Sequence, residues 1–308
     1  MKTLLIIVLF VTIYSSANSQ SLYIKTFGNK ESSPVIFLHG GPGYNCANFE
    51  ITTAKALSEQ GYFVIVYDRR GEGRSKDNNA VFNFKETFTD LNNIYKQFSI
   101  EKATIIGHSF GGIVAVLFAE KYSDKINSIV LVGAPVNLQE SFKNILKNCK
   151  NNYINLSDSN GLKAISLIEK LDTTSLFYSS SCFIQASKNG AYFPKNPSDD
   201  ARILYDELKK DSLYKYAKEM TYLPPQGYWK NEKYTTIDLT NNIKDLVKKK
   251  VPVFGFYGKE DGLYSAEQIE SLKNIIGLEN IIYYDNCSHN VFIDRQKDFL
   301  LQFKSWVK

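Results

Sequence analysis

One segment limits the folds open to this chain more than any other. "ATIIGHSFGGIVAVLFAEKY", Ala103 to Tyr122, joins a β-branched run to an apolar run at helical spacing (Ile113, Val114, Leu117, Phe118). The two meet at Gly107-His108-Ser109-Phe110-Gly111-Gly112. A strand that turns into a helix within about two residues strains its corner residue, and flanking glycines remove the Cβ atoms that would collide there. Ser109 at that corner would stand above the carboxyl edge of a sheet, at a helix N-terminus. There, free N–H groups and the helix dipole favour negative charge.

The rest of the chain repeats the same alternation. β-rich runs occur at Val35–His39, Tyr62–Tyr67, Ala103–Ile106, Ser128–Val132, Val251–Tyr257 and Asn280–Tyr284. Helical patterns occur at Ala47–Gln60, Lys85–Phe98, Phe110–Tyr122, Ala266–Ile276 and Arg295–Val307. Alternating strands and helices predict an α/β fold, a mostly parallel sheet covered on both faces. The rhythm breaks between about Asn137 and Lys250, where Asn, Lys, Ser and Tyr abound and the pattern is mainly helical. This predicts a cap, residues 137–247, inserted into a core of residues 20–136 and 248–308. Within it, "TYLPPQGYWKNEKY" reads as turn and loop, because Pro224-Pro225 cannot continue a helix.

"MKTLLIIVLFVTIYSSANSQ" has a basic start, an apolar core from Leu4 to Ile13, and Ala17 and Ser19 at −3 and −1 of a cut before Gln20. The pattern fits a signal peptide over residues 1–19 and a secreted or periplasmic protein, since the apolar core is too short to span a bilayer. In an oxidising compartment Cys46, Cys149, Cys182 and Cys287 would form up to two disulfides, Cys149 with Cys182 being the weakly preferred pair. No cysteine spacing suits a metal. The 37 basic and 32 acidic residues are scattered, so the net charge of +5 gives no footprint for a nucleic-acid partner.

A serine hydroxyl is a poor nucleophile near neutral pH and needs a base. The chain has three histidines. His39 opens "HGGPG" and His108 lies inside the corner, with its side chain directed away from that of Ser109. His289, in "YYDNCSHNVF", follows the last strand pattern and is free to approach from a distant loop. A base of this kind needs an acid to fix its tautomer. Asp261, in "KEDGLYS" just past "VPVFGFYG", supplies one in the order Ser, acid, His. Glu260 is the rival acid; Asp285 and Asp294 neighbour His289 only in sequence. The oxyanion of an acyl transfer needs two donors, and losing one costs about 3 kcal/mol of barrier. The Phe110 N–H and, because Pro42 has none, the Gly41 N–H are the choices. "YDRRGEGRS" lacks the GxxxxGK[ST] spacing of a phosphate loop, so Asp68, Arg69 and Arg74 read as a polar network under HGGPG.

Together HGGPG, DRRGEGRS, GHSFGG, GKEDG and the terminal SHN resemble the α/β-hydrolase superfamily, and HGGPG is similar to its proline iminopeptidase branch. The resemblance implies an eight-stranded sheet with a helical cap after the sixth strand. It also implies nucleophile Ser109, acid Asp261, base His289, and Gly41 and Phe110 as main-chain donors. It implies a serine hydrolase acting through an acyl-enzyme without cofactor or metal, on a short peptide or other small substrate. The elbow departs from the branch, being the Gly-His-Ser-Phe-Gly form shared with esterases. The branch also binds the substrate's ammonium group through cap carboxylates, for which Glu140, Asp199, Asp200, Glu207, Glu219 and Glu232 are available. An N-terminal aminopeptidase leads, with a carboxylesterase second. A binding protein that kept only the scaffold is the reading from another class. The cap aromatics Tyr192, Phe193, Tyr222, Tyr228 and Trp229 would line a pocket or form the cap's own core.

Overall fold

The computed structural model describes residues 22–307; the expected signal segment, residues 1–19, lies outside the described residues. Among these, strands β1 (Ile24–Phe27), β2 (Ser33–Leu38), β3 (Tyr62–Tyr67), β4 (Ala103–His108), β5 (Ile126–Val132), β6 (Val253–Gly258) and β7 (Ile281–Tyr284) form one sheet. Its order is β1-β3-β2-β4-β5-β6-β7. β1 runs antiparallel to β3, and every other pair is parallel.

Period-two alternation sorts the strand side chains into two cores. Ile36, Leu38, Ile65, Ile105, Ile129, Leu131 and Tyr257 face one side. Val35, Phe37, Val64, Val66, Ile106, Val130 and Phe256 face the other. Both sets are buried because helices cover both faces. Helices Phe84–Gln97, Phe110–Lys121, Thr240–Lys248 and Ala266–Ile276 pack on the first. The run Ala47–Ser58 and helix Gln296–Trp306 pack on the second.

Three sequence expectations are corrected here. The sheet has seven strands rather than eight among the described residues, so the helical insertion follows β5 rather than a sixth strand. β1 escaped the sequence reading because it is a four-residue edge strand, half-exposed, with no apolar run. Pro224 and Pro225 stand in the first turn of helix Leu223–Glu232 instead of in a loop. The first N–H groups of a helix have no intrahelical acceptor, so proline costs nothing there. The Ala47–Gln60 pattern is helical but broken by a π-turn, Glu50–Ala54, where the Thr52 hydroxyl takes the Asn48 carbonyl (2.7 Å) from the backbone ladder.

The insertion leaves and returns at one point: Leu138 N–H donates to Ile237 O (3.1 Å) and Leu239 N–H to Val136 O (2.7 Å). It is laced to the loops at the carboxyl ends of the strands. Thr221 N–H reaches Gly43 O (2.8 Å), Asn45 reaches Tyr216 O (2.7 Å), and Gly262 N–H reaches Ala191 O (3.2 Å). No described helix is long and apolar enough to cross a membrane.

In the second core Phe256, fully buried, meets Phe299 (centroids 4.8 Å) and Trp306 (4.7 Å). Phe256→Ala is expected to lower stability by about 3–5 kcal/mol in urea unfolding at unchanged m. A loss below about 1 kcal/mol would contradict this packing.

Candidate active site

β4 delivers Ser109 to the sheet edge with φ 51° and ψ −123°, a left-handed-side conformation held from three directions. Ser109 N–H donates to Val132 O on β5 (3.0 Å), and its carbonyl accepts from Gly112 N–H (2.8 Å). A Cβ at Gly111 would fall on the Leu38 carbonyl of β2, and one at Gly107 would meet Gly112 Cα at 2.6 Å. The helix start therefore lies directly on the β2 backbone. Ser109 itself is half-buried, and among the described residues no hydrogen bond engages its hydroxyl.

His289 and Asp261 come together from the loops after β7 and β6. His289 Nδ1 and Asp261 Oδ2 are 2.8 Å apart, both residues buried. The other Asp261 oxygen accepts from Leu263 N–H (3.1 Å), which fixes the carboxylate plane. A carboxylate acceptor at Nδ1 puts the ring proton there and leaves Nε2 as the basic nitrogen. The imidazole is packed between the rings of His108 (4.8 Å) and Tyr192 (5.3 Å) and against Gly133, whose neighbour Val132 bonds Ser109 N–H. The ring thus lies beside the serine corner. The rival acids are engaged elsewhere: Glu260 accepts Lys195 N–H (2.5 Å) and Asp285 pairs with Lys259 (2.9 Å). His108 contacts His289 O through Nε2 (3.2 Å) and, held neutral by burial, has its value well below the usual range.

Gly41, at φ 116°, and Phe110 line one cavity together with Ser109. Neither N–H has a hydrogen-bond partner among the described residues. Beneath Gly41 is a buried ion pair, Arg69 with Glu72 (3.0 Å). Sequence reasoning named Arg69 but missed Glu72. The signal available was an acid three residues after Arg69 between two glycines, a spacing that a tight turn brings together.

The cavity is small, about 20 Å³, room for about one water. Its other lining residues are Ile113, Pro135, Leu138, Ser141, Phe183, Tyr234, Leu263 and Tyr264, none of them charged. Of the cap aromatics singled out in the sequence, Tyr192 packs on His289 and Tyr228 is core. Phe193 and Tyr222 are mostly exposed. Phe183 and Tyr234 take the lining role and were not foreseen. None of the six cap carboxylates lines the cavity. Glu140 pairs with Lys143, Asp199 with Arg202 and Asp200 with Lys297, while Glu232 accepts Phe84 N–H. The disulfide expectation is also corrected: Cys46, Cys149, Cys182 and Cys287 are all free, buried thiols, and the Cys46 sulfur accepts from Arg74 Nη2 (3.2 Å).

Asp294 steadies the loop that carries His289. Its carboxylate accepts Ser288 N–H (2.8 Å) and the hydroxyl of Tyr205 from the insertion (2.6 Å). Burial pushes its pKa from the ordinary 3.8 to about 6, the two hydrogen bonds opposing only in part. The folded state thus holds this proton more tightly than the unfolded chain. The favourable contribution is complete below about pH 3.8 and is lost as pH rises through about 6. Urea unfolding across that range should show wild-type stability falling relative to Asp294→Asn by on the order of 2–3 kcal/mol. A difference independent of pH would contradict the account.

Comparisons with known proteins agree with this fold. The family described as "alpha/beta hydrolase fold" matches residues 33–296. A proline iminopeptidase of Lactobacillus acidophilus is 24% identical over 90% of this chain and 90% of its own. An sn-1-specific diacylglycerol lipase of Danio rerio is 23% identical over 89% of this chain and 78% of its own. Among solved structures, a proline iminopeptidase-related protein of Thermus thermophilus superposes with TM-score 0.65 at 20% identity, covering 93% of this chain and 94% of that one. An esterase of Exiguobacterium antarcticum superposes with TM-score 0.60 at 17% identity, covering 93% and 95%. The chain is a hydrolase with proline iminopeptidase-like relatives, and it belongs to the alpha/beta hydrolase fold family.

Proposed function

We propose that the protein is a secreted serine hydrolase working through an acyl-enzyme, with residues 20–136 and 248–308 as its core and 137–247 as its cap. Ser109 Oγ attacks a carbonyl carbon while His289 Nε2 takes its proton. Asp261 steadies the imidazolium through Nδ1. The N–H groups of Gly41 and Phe110 meet the negative charge that forms on the carbonyl oxygen. The imidazolium then protonates the leaving group, and water, activated by the same base, releases the acid. The observation that carries this reading is the 2.8 Å Asp261–His289 bond beside a serine at φ 51°.

The lining of the cavity carries no charged side chain, which favours a neutral acyl group, hence carboxylic esters. The buried carboxylates closest in the fold, Asp261 and Glu72, are already occupied by His289 and by Arg69 with Gly43 N–H. A substrate ammonium buried there would lack a counter-charge, which costs several kcal/mol. The aminopeptidase reading keeps the support of the relatives named proline iminopeptidase.

A fluorophosphonate probe should label wild type and leave Ser109→Ala unlabelled; equal labelling would remove the serine-hydrolase mechanism. His289→Ala should depress kcat by several orders of magnitude with the fold intact, and near-normal turnover would refute the base. In a paired assay, p-nitrophenyl butyrate should be hydrolysed faster than Pro-β-naphthylamide. Amide turnover that disappears when the substrate is N-acetylated would instead establish an ammonium-binding aminopeptidase.

A further inference from the structure

We infer that Arg69 and His39 are positioning residues that aim the Gly41 N–H at the reacting oxygen by pinning the Gly40 carbonyl from behind. The proposal rests on the assignment of Gly41 as an oxyanion donor. The Gly40–Gly41 peptide is trans, so its C=O and N–H point in opposite directions, and fixing one fixes the other. Two donors hold that carbonyl: Arg69 Nη2 at 2.6 Å and His39 Nδ1 at 2.8 Å. The His39 tautomer is set by its other nitrogen. Nε2 accepts from Arg69 N–H (3.0 Å), so the proton is on Nδ1 and points to Gly40 O. With both lone pairs engaged, the peptide cannot rotate without breaking two buried bonds, each expensive to leave unmade.

The guanidinium is itself held on every side. Nη1 donates to His39 O (2.5 Å), and Nε and Nη2 reach the two Glu72 oxygens (3.0 Å each). Glu72 in turn accepts Gly43 N–H (2.7 Å), so the ion pair clamps the HGGPG loop at both ends. Arg69 Cζ also lies 5.2 Å from the centroid of the Phe110 ring, the residue that carries the second donor. One buried cation therefore contacts both halves of the oxyanion site without lining the cavity. A group that only stabilised the fold would have no reason to contact both.

The test uses the full chain and the p-nitrophenyl acetate burst, whose amplitude counts competent sites and whose rate constant reports acylation per site. Incomplete folding lowers the first and leaves the second unchanged. Arg69→Lys keeps a charge beside Glu72 but cannot serve both carbonyls. Acylation per site should slow about 10–100-fold, with KM within about twofold. Affinity for a boronic acid, which forms a tetrahedral adduct on the serine, should weaken by the same factor. His39→Gln moves its amide to the Nε2 position and loses Gly40, so it should behave likewise. His39→Asn places its amide near Nδ1 and should restore the rate. Per-site rate and boronate affinity at wild-type level in Arg69→Lys or His39→Gln would overturn the proposal, as would a change in KM alone. If one of these variants yields no burst, the other decides. Wild type that fails to react with a fluorophosphonate would instead remove the serine mechanism beneath it.

Discussion

The site depends on one close approach: the first turn of helix Phe110–Lys121 lies against the backbone of β2 with no side chain between them. The Leu38 carbonyl occupies the place where a Cβ of Gly111 would be. This contact holds the corner of Ser109 at a fixed distance from the loop that leaves β2, and that loop carries Gly41. The strain at Ser109 persists because neighbouring strands over-determine it, β5 through Val132 and the helix through Gly112. A serine elsewhere on the sheet would have neither the exposed hydroxyl nor the free N–H groups beside it.

Around that corner the polar groups are buried and, for the most part, fully matched. Asp261 is divided between His289 and Leu263 N–H, Glu72 between Arg69 and Gly43 N–H, and Asp294 between Tyr205 and Ser288 N–H. In a low-dielectric setting such pairs are strong if complete and costly if broken, which is why each fixes a geometry rather than merely a contact. Among the described residues, Ser109 Oγ, His289 Nε2 and the N–H groups of Gly41 and Phe110 have no hydrogen-bond partner; Asn48 Oδ1 and the Tyr67 hydroxyl are also buried without one. The insertion supplies Phe183 and Tyr234 to the cavity wall and Tyr192 to the face of His289. The cavity wall is thus shared between the insertion and core residues such as Ile113, Leu263 and Tyr264, while Ser109, Asp261 and His289 stand on loops at the ends of the strands.

Much of this was legible in the sequence because it is local. The strand–corner–helix pattern of Ala103–Tyr122, the alternation of the central strands and the boundaries of Tyr62–Tyr67 and Ala266–Ile276 all follow from neighbouring residues. The choice of Asp261 over Glu260 as the partner of His289 could be read because adjacent side chains point apart, here in a turn closed by Asp261 N–H to Gly258 O (3.1 Å). What escaped was non-local or positional. Pro224-Pro225 breaks a helix interior but suits a first turn, and only the boundary distinguishes the two. The cysteines suggested disulfides by number, yet all four are free, buried thiols. Phe183, on helix Leu176–Lys188, and Tyr234, in the short turn Tyr234–Thr236, gave no signal of lining the cavity, because an aromatic residue looks alike in sequence whether it faces a core or a pocket.

In the proposed reaction a buried acid–base pair turns the corner serine into a nucleophile that is transiently acylated. Intact-protein mass spectrometry under rapid acid quench, with p-nitrophenyl butyrate in excess, tests this most directly. It should find one butyryl group per chain, which peptide mapping places on Ser109 and which disappears as hydrolysis completes. Substrate turnover with no covalent adduct at any quench time, or with the acyl group on another residue, would contradict it.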